Sequence, residues 1–244
     1  MPSMKSQEHK YRKLINAKGL VRSAVIEKES DLLILADKAL TVQAHEVLKK
    51  ERKELEDYIA KNPEFAKSFK PMGISLFSPK IVHLMAWAAR KANVGPMAAV
   101  AGAIAEQVGK SLLKHSKEVI VENGGDIFVK ITKPRRIGVY AGKSPFSEKI
   151  AIEIEPEDTP LGVCTSAGTV GHSVSFGAAD AVIVTARSTA LADAAATAIG
   201  NIVKSEETIG DGIDAAKQIK GLHGLLIIKN DKMGAWGTLK IVSL

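Results

Sequence analysis

Hydrophobic and polar residues follow a strand-like pattern in one part of the N-terminal region and a helical pattern in the next. Residues 10–39 contain the runs LVRSAVIEKES and DLLILAD, separated by turn-like residues, which predict a small antiparallel meander. Residues 41–61 carry apolar side chains at helical spacing, and Asn62-Pro63 predicts the end of that helix. We expect Thr41 to cap its start.

Two more helices are predicted before the main group of strands. Ser78-Pro79 is typical of a helix start, with serine as the N-cap and proline as the first helical residue. Residues 96–114 predict one long helix that is rich in alanine and glycine. Small side chains allow a sheet, another helix or a ligand to approach the helix backbone closely.

The second half of the chain consists mainly of predicted strands. They are KEVIVENG, DIFVKIT, RIGVYAG, KIAIEIEP, GVCTSAG, AVIVTAR, GLLIIKN and TLKIVSL. Helices are predicted at 188–204 and around 211–220, and Gly234 to Gly237 is predicted to form a turn. Strand and helix clusters alternate coarsely, which favours an α+β fold over a doubly wound parallel sheet.

Composition narrows the class of protein. The 244 residues suit one large domain or two small ones, and the single cysteine excludes an intrachain disulfide. No apolar run is long enough to cross a membrane, and no apolar stretch follows the charged N-terminus, so we expect a cytoplasmic protein without membrane contact. The net charge is +7, but aromatic residues make up only 5%, which argues against nucleic-acid binding.

Besides the alanine- and glycine-rich helix at 96–109, three stretches could carry chemistry, and the first is VENGGDIFV at 121–129. Asn123, Gly124, Gly125 and Asp126 separate two strands. The glycines allow positive φ and expose N–H groups that could cradle a phosphate or a ribityl-type polyol. The alternative is a plain β-turn, in which asparagine and glycine are the favoured residues.

The second stretch, GVCTSAGTVGHS at 162–173, leads from a strand into a glycine-bearing loop. Cys164 could act as a nucleophile, but no acid–base partner is evident beside it in the sequence. A cysteine in a strand is more often a small buried apolar residue. His172 could carry a proton or contact a ligand, although a lone histidine in a loop usually does neither.

The third stretch is STALADAAATAIGN at 188–201, an alanine-rich helix that contains one acid. Asp193 and Thr197 are four residues apart, so their side chains share one helical face. Their oxygens are hard ligands that suit Mg²⁺, a cation that takes its other ligands from water and phosphates. Alternatively, Asp193 faces water and Thr197 bonds back to its own helix.

Taken in order, these motifs resemble the ApbE superfamily of flavin-handling proteins. The matching stretches are AGAIAEQ (101–107), ENGGDIFV (122–129), CTSAG (164–168), GHSVSFG (171–177) and ALADAAATAIG (190–200). More narrowly, the chain resembles the UPF0280 proteins, which have a basic hairpin-and-helix N-terminus. The resemblance implies mixed or antiparallel sheets flanked by helices in a single domain over 1–244, with the N-terminal hairpin-plus-helix segment at 10–70.

ApbE-type proteins use FAD and Mg²⁺ to transfer FMN to a threonine of an acceptor protein, or they hydrolyse FAD. The resemblance implies that Asp193 and Thr197 hold Mg²⁺ with backbone oxygens from 101–105. A phosphate-bearing ligand would then lie against a set of candidate flavin-binding residues: Asn123, Gly124, Gly125, Asp126, Thr165, Ser166 and His172.

Two departures from the family pattern keep other functions open. Glu106 stands where the family has a lysine, and only His172 and Gly177 remain of the longer histidine motif. The chain could therefore be an enzyme, or a non-catalytic module that binds a flavin, nucleotide or other phosphate-bearing ligand. It could also be a scaffold whose basic N-terminal segment contacts an acidic partner. The alanine- and glycine-rich helices could pack in a homo-oligomer as readily as around a ligand.

Overall fold

The computed structural model describes residues 11–167 and 177–244, which contain eleven β-strands and six α-helices. The strands are β1 (Val21–Glu27), β2 (Ser30–Ala36), β3 (Val119–Asn123), β4 (Asp126–Lys130), β5 (Arg135–Gly138), β6 (Ile150–Ile154), β7 (Leu161–Ser166), β8 (Ala181–Ala186), β9 (Leu222–Lys229), β10 (Lys232–Gly237) and β11 (Lys240–Ser243). The helices are α1 (Thr41–Lys61), α2 (Glu64–Lys67), α3 (Lys80–Ala92), α4 (Val100–Leu112), α5 (Thr189–Ile202) and α6 (Ile209–Gln218).

Eight strands form one large sheet in the order β1-β2-β3-β4-β7-β8-β9-β10, and β11-β6-β5 form a second, smaller sheet. Every strand pair in these two sheets is antiparallel. The α+β class is therefore confirmed, with antiparallel pairing in both sheets. The N-terminal hairpin belongs to the large sheet, because β2 pairs with β3 from Leu32↔Asn123 to Ala36↔Val119.

The large sheet separates two apolar cores. Alternate side chains of its strands, such as Val119 and Val121 on β3, pack with helices α1 and α3–α6. The side chains between them, such as Ile120, pack on the other face against Ile137 and Ile152 of the small sheet. A residue's position in a strand therefore decides whether it faces the helices or the small sheet.

The helical cores of the predictions are confirmed, but the predicted starts of the three helices at 41, 78–79 and 96 are not. Leu40, not Thr41, is the N-cap of α1, and no side chain caps that end. Pro79 is the N-cap of α3 instead of its first residue. Residues 96–114 do not form one continuous α-helix, because Pro96–Ala99 is a 3₁₀ turn. This break places residues 101 and 102 in the first turn of α4, where backbone N–H groups lack partners within the helix.

The predicted turn from Gly234 to Gly237 is wrong. These residues lie in β10, which pairs with β9 from Lys232↔Lys229 to Gly237↔Gly224, so the chain reverses before them. Gly234 serves packing instead, because a Cβ there would lie 2.5 Å from the Ile209 side chain of α6. None of the helices in the described ranges is long and apolar enough to span a membrane.

Candidate functional site

The candidate site forms where α4 and α5 cross on the helix-covered face of the large sheet. At Gly102 of α4 the helices are so close that a Cβ would lie 2.5 Å from the Thr189 carbonyl oxygen. The same Cβ would lie 2.7 Å from Asp193 Cβ. Gly162 of β7 meets the Thr189 backbone from the sheet side, also without room for a Cβ. These close approaches bring Asp193 against the start of α4.

Asp193 is half-buried and accepts hydrogen bonds from the first turn of α4. The Gly102 N–H donates to Asp193 Oδ2 at 2.8 Å, and the Ala101 N–H also bonds to this carboxylate. Removal from bulk water raises the pKa of Asp193 to about 7, although these two N–H groups lower it. The alternative in which Asp193 simply faces water is therefore wrong.

The Asn123–Asp126 stretch is the tight turn between β3 and β4, and it lies against the same helix start. Gly124 and Gly125 have φ of +64° and +100°, which glycine adopts without strain. Asn123 Nδ2 donates to the Ala101 carbonyl at 3.1 Å. The Gly125 N–H donates at 2.9 Å to Glu122 Oε1, so this N–H is already used inside the protein.

Asp126 is a second carboxylate on the helix-covered face. It is buried and pairs across the sheet with Cys164, and the Thr165 N–H bonds to its side chain. Burial, followed by the negative charge of Asp193, raises the pKa of Asp126 well above its usual range. Asp126 and Asp193 are therefore close enough that the charge of one disfavours ionisation of the other.

Cys164 lies beside Asp126 on the neighbouring strand and is completely buried. Its Sγ is 3.3 Å from the Thr189 carbonyl oxygen, and the thiol also bonds to Asp126. Burial, and then the charges of Asp126 and Asp193, raise the pKa of Cys164 well above its usual range. A thiol in these surroundings stays protonated, which argues against a nucleophilic role.

The remaining predicted residues lie along α5 and at the end of β7. Thr197 is half-buried, one turn beyond Asp193 on the same helical face. Ser166 packs near the end of α5, because a Cβ at Gly200 would be 3.2 Å from Ser166 Oγ. The side chain of Thr165 faces the opposite side of the sheet from those of its neighbours in β7. His172 lies outside the described residues.

Glu106 does not point toward the two carboxylates but caps α5. Its Oε2 accepts from Ser188 Oγ at 2.8 Å and from the Ala190 N–H at 3.2 Å. Its Oε1 accepts from Lys110 Nζ at 2.5 Å. The buried carboxylate thus satisfies donors at a helix N-terminus, where negative charge is favourable.

Sequence reasoning missed Glu122 and Arg12, which support the β3–β4 turn from the face of the sheet opposite the helices. Glu122 is fully buried and directly follows the three apolar residues of β3, and its Oε2 accepts from Arg12 Nε at 2.5 Å. A charged residue inside a buried strand signals an ion pair, because such a residue is rarely buried alone. A separate surface groove of about 390 Å³ lies between α1 and residues 75–79 and contains none of the predicted site residues.

The donor set fits a hard divalent cation. Among the described residues, no lysine or arginine pairs with Asp126 or Asp193, so a cation between them would relieve their repulsion. No cluster of three or more His, Cys, Asp or Glu side chains suited to a metal occurs in the described parts of the chain. Further ligands would therefore come from the Thr197 hydroxyl, backbone carbonyls, water or phosphate.

Comparison with known proteins gives one consistent result. The family model described as "AbpE bacteria" matches residues 12–220. A UPF0280 protein of Methanocaldococcus jannaschii is 46% identical over 224 residues, covering 89% of this chain and 91% of that protein. A UPF0280 protein of Methanococcus vannielii is 43% identical over 219 residues, covering 87% and 88% of the two chains.

Solved structures show the same fold at much lower identity. The apo form of the flavinyl transferase ApbE of Pseudomonas stutzeri has a TM-score of 0.55 at 13% identity, covering 90% of this chain and 94% of that one. The flavin transferase ApbE of Vibrio cholerae has a TM-score of 0.56 at 14% identity, covering 89% and 96%. With 46% identity to a curated relative and this shared fold, the chain belongs to the UPF0280 family of ApbE-like proteins.

Proposed function

We propose that this protein is an Mg²⁺-dependent enzyme that acts on the pyrophosphate of FAD. It would transfer FMN to a hydroxyl group of an acceptor protein, or release FMN and AMP when water is the acceptor. The observation that carries the proposal is the proximity of two carboxylates. Asp193 is held by N–H groups at the start of α4, and its charge acts on the buried Asp126. Among the described residues, neither carboxylate is paired with a lysine or arginine. The structural neighbours that are named flavin transferases support the substrate class.

In this proposal Asp193 and Thr197 hold Mg²⁺, with a backbone carbonyl from the start of α4. The cation would polarise the pyrophosphate and stabilise the charge that develops on the leaving AMP. Asn123 fixes that helix start by donating to the Ala101 carbonyl. Asp193 is fixed from the other side by the N–H groups of the same helix turn.

The turn at Gly124 and Gly125 would let a ligand approach the backbone closely. It would not supply several N–H donors. Gly125 already donates its N–H to Glu122, so its value to a ligand is the absence of a side chain. The nearest atom to a Cβ at Gly125 would be the Thr165 carbonyl oxygen at 3.8 Å, and nothing lies within 4 Å of a Cβ at Gly124. A flavin or ribityl group could therefore pass close to this backbone.

One observation favours a non-catalytic binding module as the second candidate. Glu106, which stands in the place of the family lysine, is committed to the N-terminus of α5. It supplies no positive charge to a diphosphate, although such charge commonly assists phosphoryl transfer. A chain in which Asp193 and Thr197 bind the metal but no lysine stands at position 106 could hold a phosphate-bearing ligand without turning it over.

The proposal is tested by titrating purified protein with FAD, with and without Mg²⁺, followed by chromatography of the nucleotides after overnight incubation. Mg²⁺-dependent fluorescence quenching with formation of FMN and AMP supports an enzyme. Quenching without products supports the binding module. No quenching contradicts the enzyme and restricts the binding module to phosphate-bearing ligands other than FAD. Asp193→Asn and Thr197→Ala should abolish the Mg²⁺-dependent signal without unfolding the chain.

Asp37→Asn is the matched control for Asp193→Asn. Asp37 Oδ2 also accepts two backbone N–H groups, from Lys117 at 2.7 Å and Glu118 at 3.3 Å. These bonds and the hydroxyl of Ser116 outweigh desolvation and lower the pKa of Asp37, in contrast to Asp193. The control should lose stability but keep Mg²⁺-dependent flavin binding.

We also propose that residues 1–244 form one ApbE-like domain that includes the 10–70 segment. The β1–β2 hairpin hydrogen-bonds to β3, and Leu48 of α1 belongs to the same apolar core as Ala103 of α4. Deleting residues 1–70 would therefore remove part of the large sheet. A scaffold role for the basic N-terminus is better tested with charge-reversing substitutions on the exposed face of α1.

A further inference from the structure

A buried carboxylate behind the glycine turn connects the site to the beginning of the described chain. Glu122 neighbours Asn123 in β3, so its side chain lies on the opposite face of the large sheet, away from the helices. Its Oε1 accepts from the Gly125 N–H at 2.9 Å, and its Oε2 accepts from Arg12 Nε at 2.5 Å. One fully buried side chain thus joins the turn to the N-terminal segment.

The guanidinium that pairs with Glu122 is itself fixed in place. Arg12 donates to Asp31 Oδ1 at 3.1 Å and to the Asp31 carbonyl at 2.6 Å, both on the neighbouring strand β2. The Arg12 carbonyl accepts from Arg22 of β1 at 2.6 Å. The chain that follows is anchored to the small sheet through an isolated bridge between Ile15 and Ile137. Several independent contacts therefore hold the Arg12 side chain in one position.

We propose that Arg12 is a positioning residue for the site, acting through Glu122 on the turn that carries Asn123 and Asp126. Where catalysis is concerned, this inference rests on the proposed function. The Arg12 guanidinium contacts Glu122 and Asp31 at the same time, so without this fork the Glu122 carboxylate would shift from its present position and release the Gly125 N–H. The turn would then shift relative to the Ala101 carbonyl, to which Asn123 donates.

The test compares Arg12→Lys with Arg135→Lys in the full chain. Lysine keeps the positive charge but cannot reproduce the forked contacts of arginine. Arg135 is a close match, because its guanidinium pairs with the buried Glu118 at 2.8 Å. It also anchors the N-terminal segment by donating to the Asn16 and Lys18 carbonyls, yet it does not reach the turn.

The first readout is hydrogen exchange of the Gly125 amide, followed by NMR, which needs no flavin activity. Arg12→Lys should accelerate this exchange about tenfold or more, as expected for loss of a bond to a charged group, while Arg135→Lys should leave it unchanged. The second readout is kcat/KM for FAD with Mg²⁺. It should fall about tenfold in Arg12→Lys, in line with the usual effect of losing a supporting contact.

Unchanged Gly125 exchange in Arg12→Lys overturns the inference, and so does equal acceleration in both variants, because that would indicate a general loosening of the segment. If the wild-type protein neither binds nor converts FAD, the proposed function fails but the exchange comparison still decides the role of Arg12. If Arg12→Lys does not fold, Asp31→Asn weakens the hold on the same guanidinium. It should accelerate Gly125 exchange in the same direction by a smaller factor.

Discussion

Replacement of Glu106 tests whether this side chain serves the helix N-terminus or the ligand. Glu106→Gln keeps an acceptor for Ser188 Oγ or the Ala190 N–H but removes the charge. Hydrogen bonds to charged groups contribute about 1.5–3 kcal/mol and neutral ones about 0.5–1.5 kcal/mol. The favourable charge at the helix N-terminus adds about 0.3–1 kcal/mol. We therefore expect Glu106→Gln to cost about 1.3–2.5 kcal/mol of unfolding free energy.

Glu106→Lys should be far more harmful. It leaves the Ser188 and Ala190 donors without their acceptor and places a second cation beside Lys110, at the positive end of α5. Adding the unsatisfied donors to the unfavourable charge gives a cost of about 3–5 kcal/mol. The lysine that ApbE-type proteins have at this position should therefore destabilise this fold without creating flavin transfer.

Urea unfolding at constant Mg²⁺ measures these costs, and FAD titration of the same samples measures binding. Glu51→Gln is the matched control: Glu51 is also buried and ion-paired, to Lys50 at 3.1 Å, but it caps no helix. Within the described residues its Oε2 has no hydrogen-bond partner, so its substitution should cost little. A Glu106→Lys variant with wild-type stability and tighter FAD binding would show that this side chain faces the ligand.

Three further predictions concern the site itself. Asp193 binds a proton in the folded state up to about pH 7 but in the unfolded chain only up to about 3.8, so metal-free stability should fall between these values as the pH rises. Urea midpoints across this range should lose the Asp193 part of that slope in Asp193→Asn, while the part due to the buried Asp126 remains; a slope retained in full would contradict the assignment. Gly102→Ala should cost about 1–3 kcal/mol by forcing α4 away from Thr189 and should weaken Mg²⁺ binding, measured by calorimetry. Cys164 should resist alkylation in the folded protein, and Cys164→Ala should keep FAD turnover; lost turnover in a folded variant would revive the nucleophile hypothesis.

Features that depend on neighbouring residues could be predicted from the sequence. The spacing of Asp193 and Thr197 places both side chains on one helical face, and the Asn-Gly-Gly-Asp run between two apolar stretches predicts a tight hairpin. The structure contains that helix from Thr189 to Ile202 and that hairpin between β3 and β4. Both features are local, because they follow from backbone periodicity and from the conformational freedom of glycine.

Features that depend on how elements pack could not be predicted. Glycine often marks a turn, yet Gly234 lies within β10 because Ile209 of α6 needs the space above it. The role of Glu106 could not be read from its neighbours in the sequence, because the helix N-terminus that it caps is more than 80 residues away. The effect of the Asp193 charge on Asp126 depends on the crossing of α4 and α5 at Gly102, which follows from packing and not from the position of either acid in the sequence.

The proximity of Asp126 and Asp193 links the stability of the folded chain to the binding of a divalent cation. Each carboxylate has a pKa raised by removal from water, and the charge of Asp193 adds to the effect at Asp126. At neutral pH this arrangement destabilises the metal-free folded chain, because the unfolded chain ionises both groups freely. A divalent cation bound by Asp193 would offset that cost in the folded state alone, so Mg²⁺ should raise the midpoint of thermal unfolding in a concentration-dependent way. Asp193→Asn removes both the repulsion with Asp126 and the carboxylate that would bind the metal. Metal-free stability should therefore rise while the response to Mg²⁺ disappears.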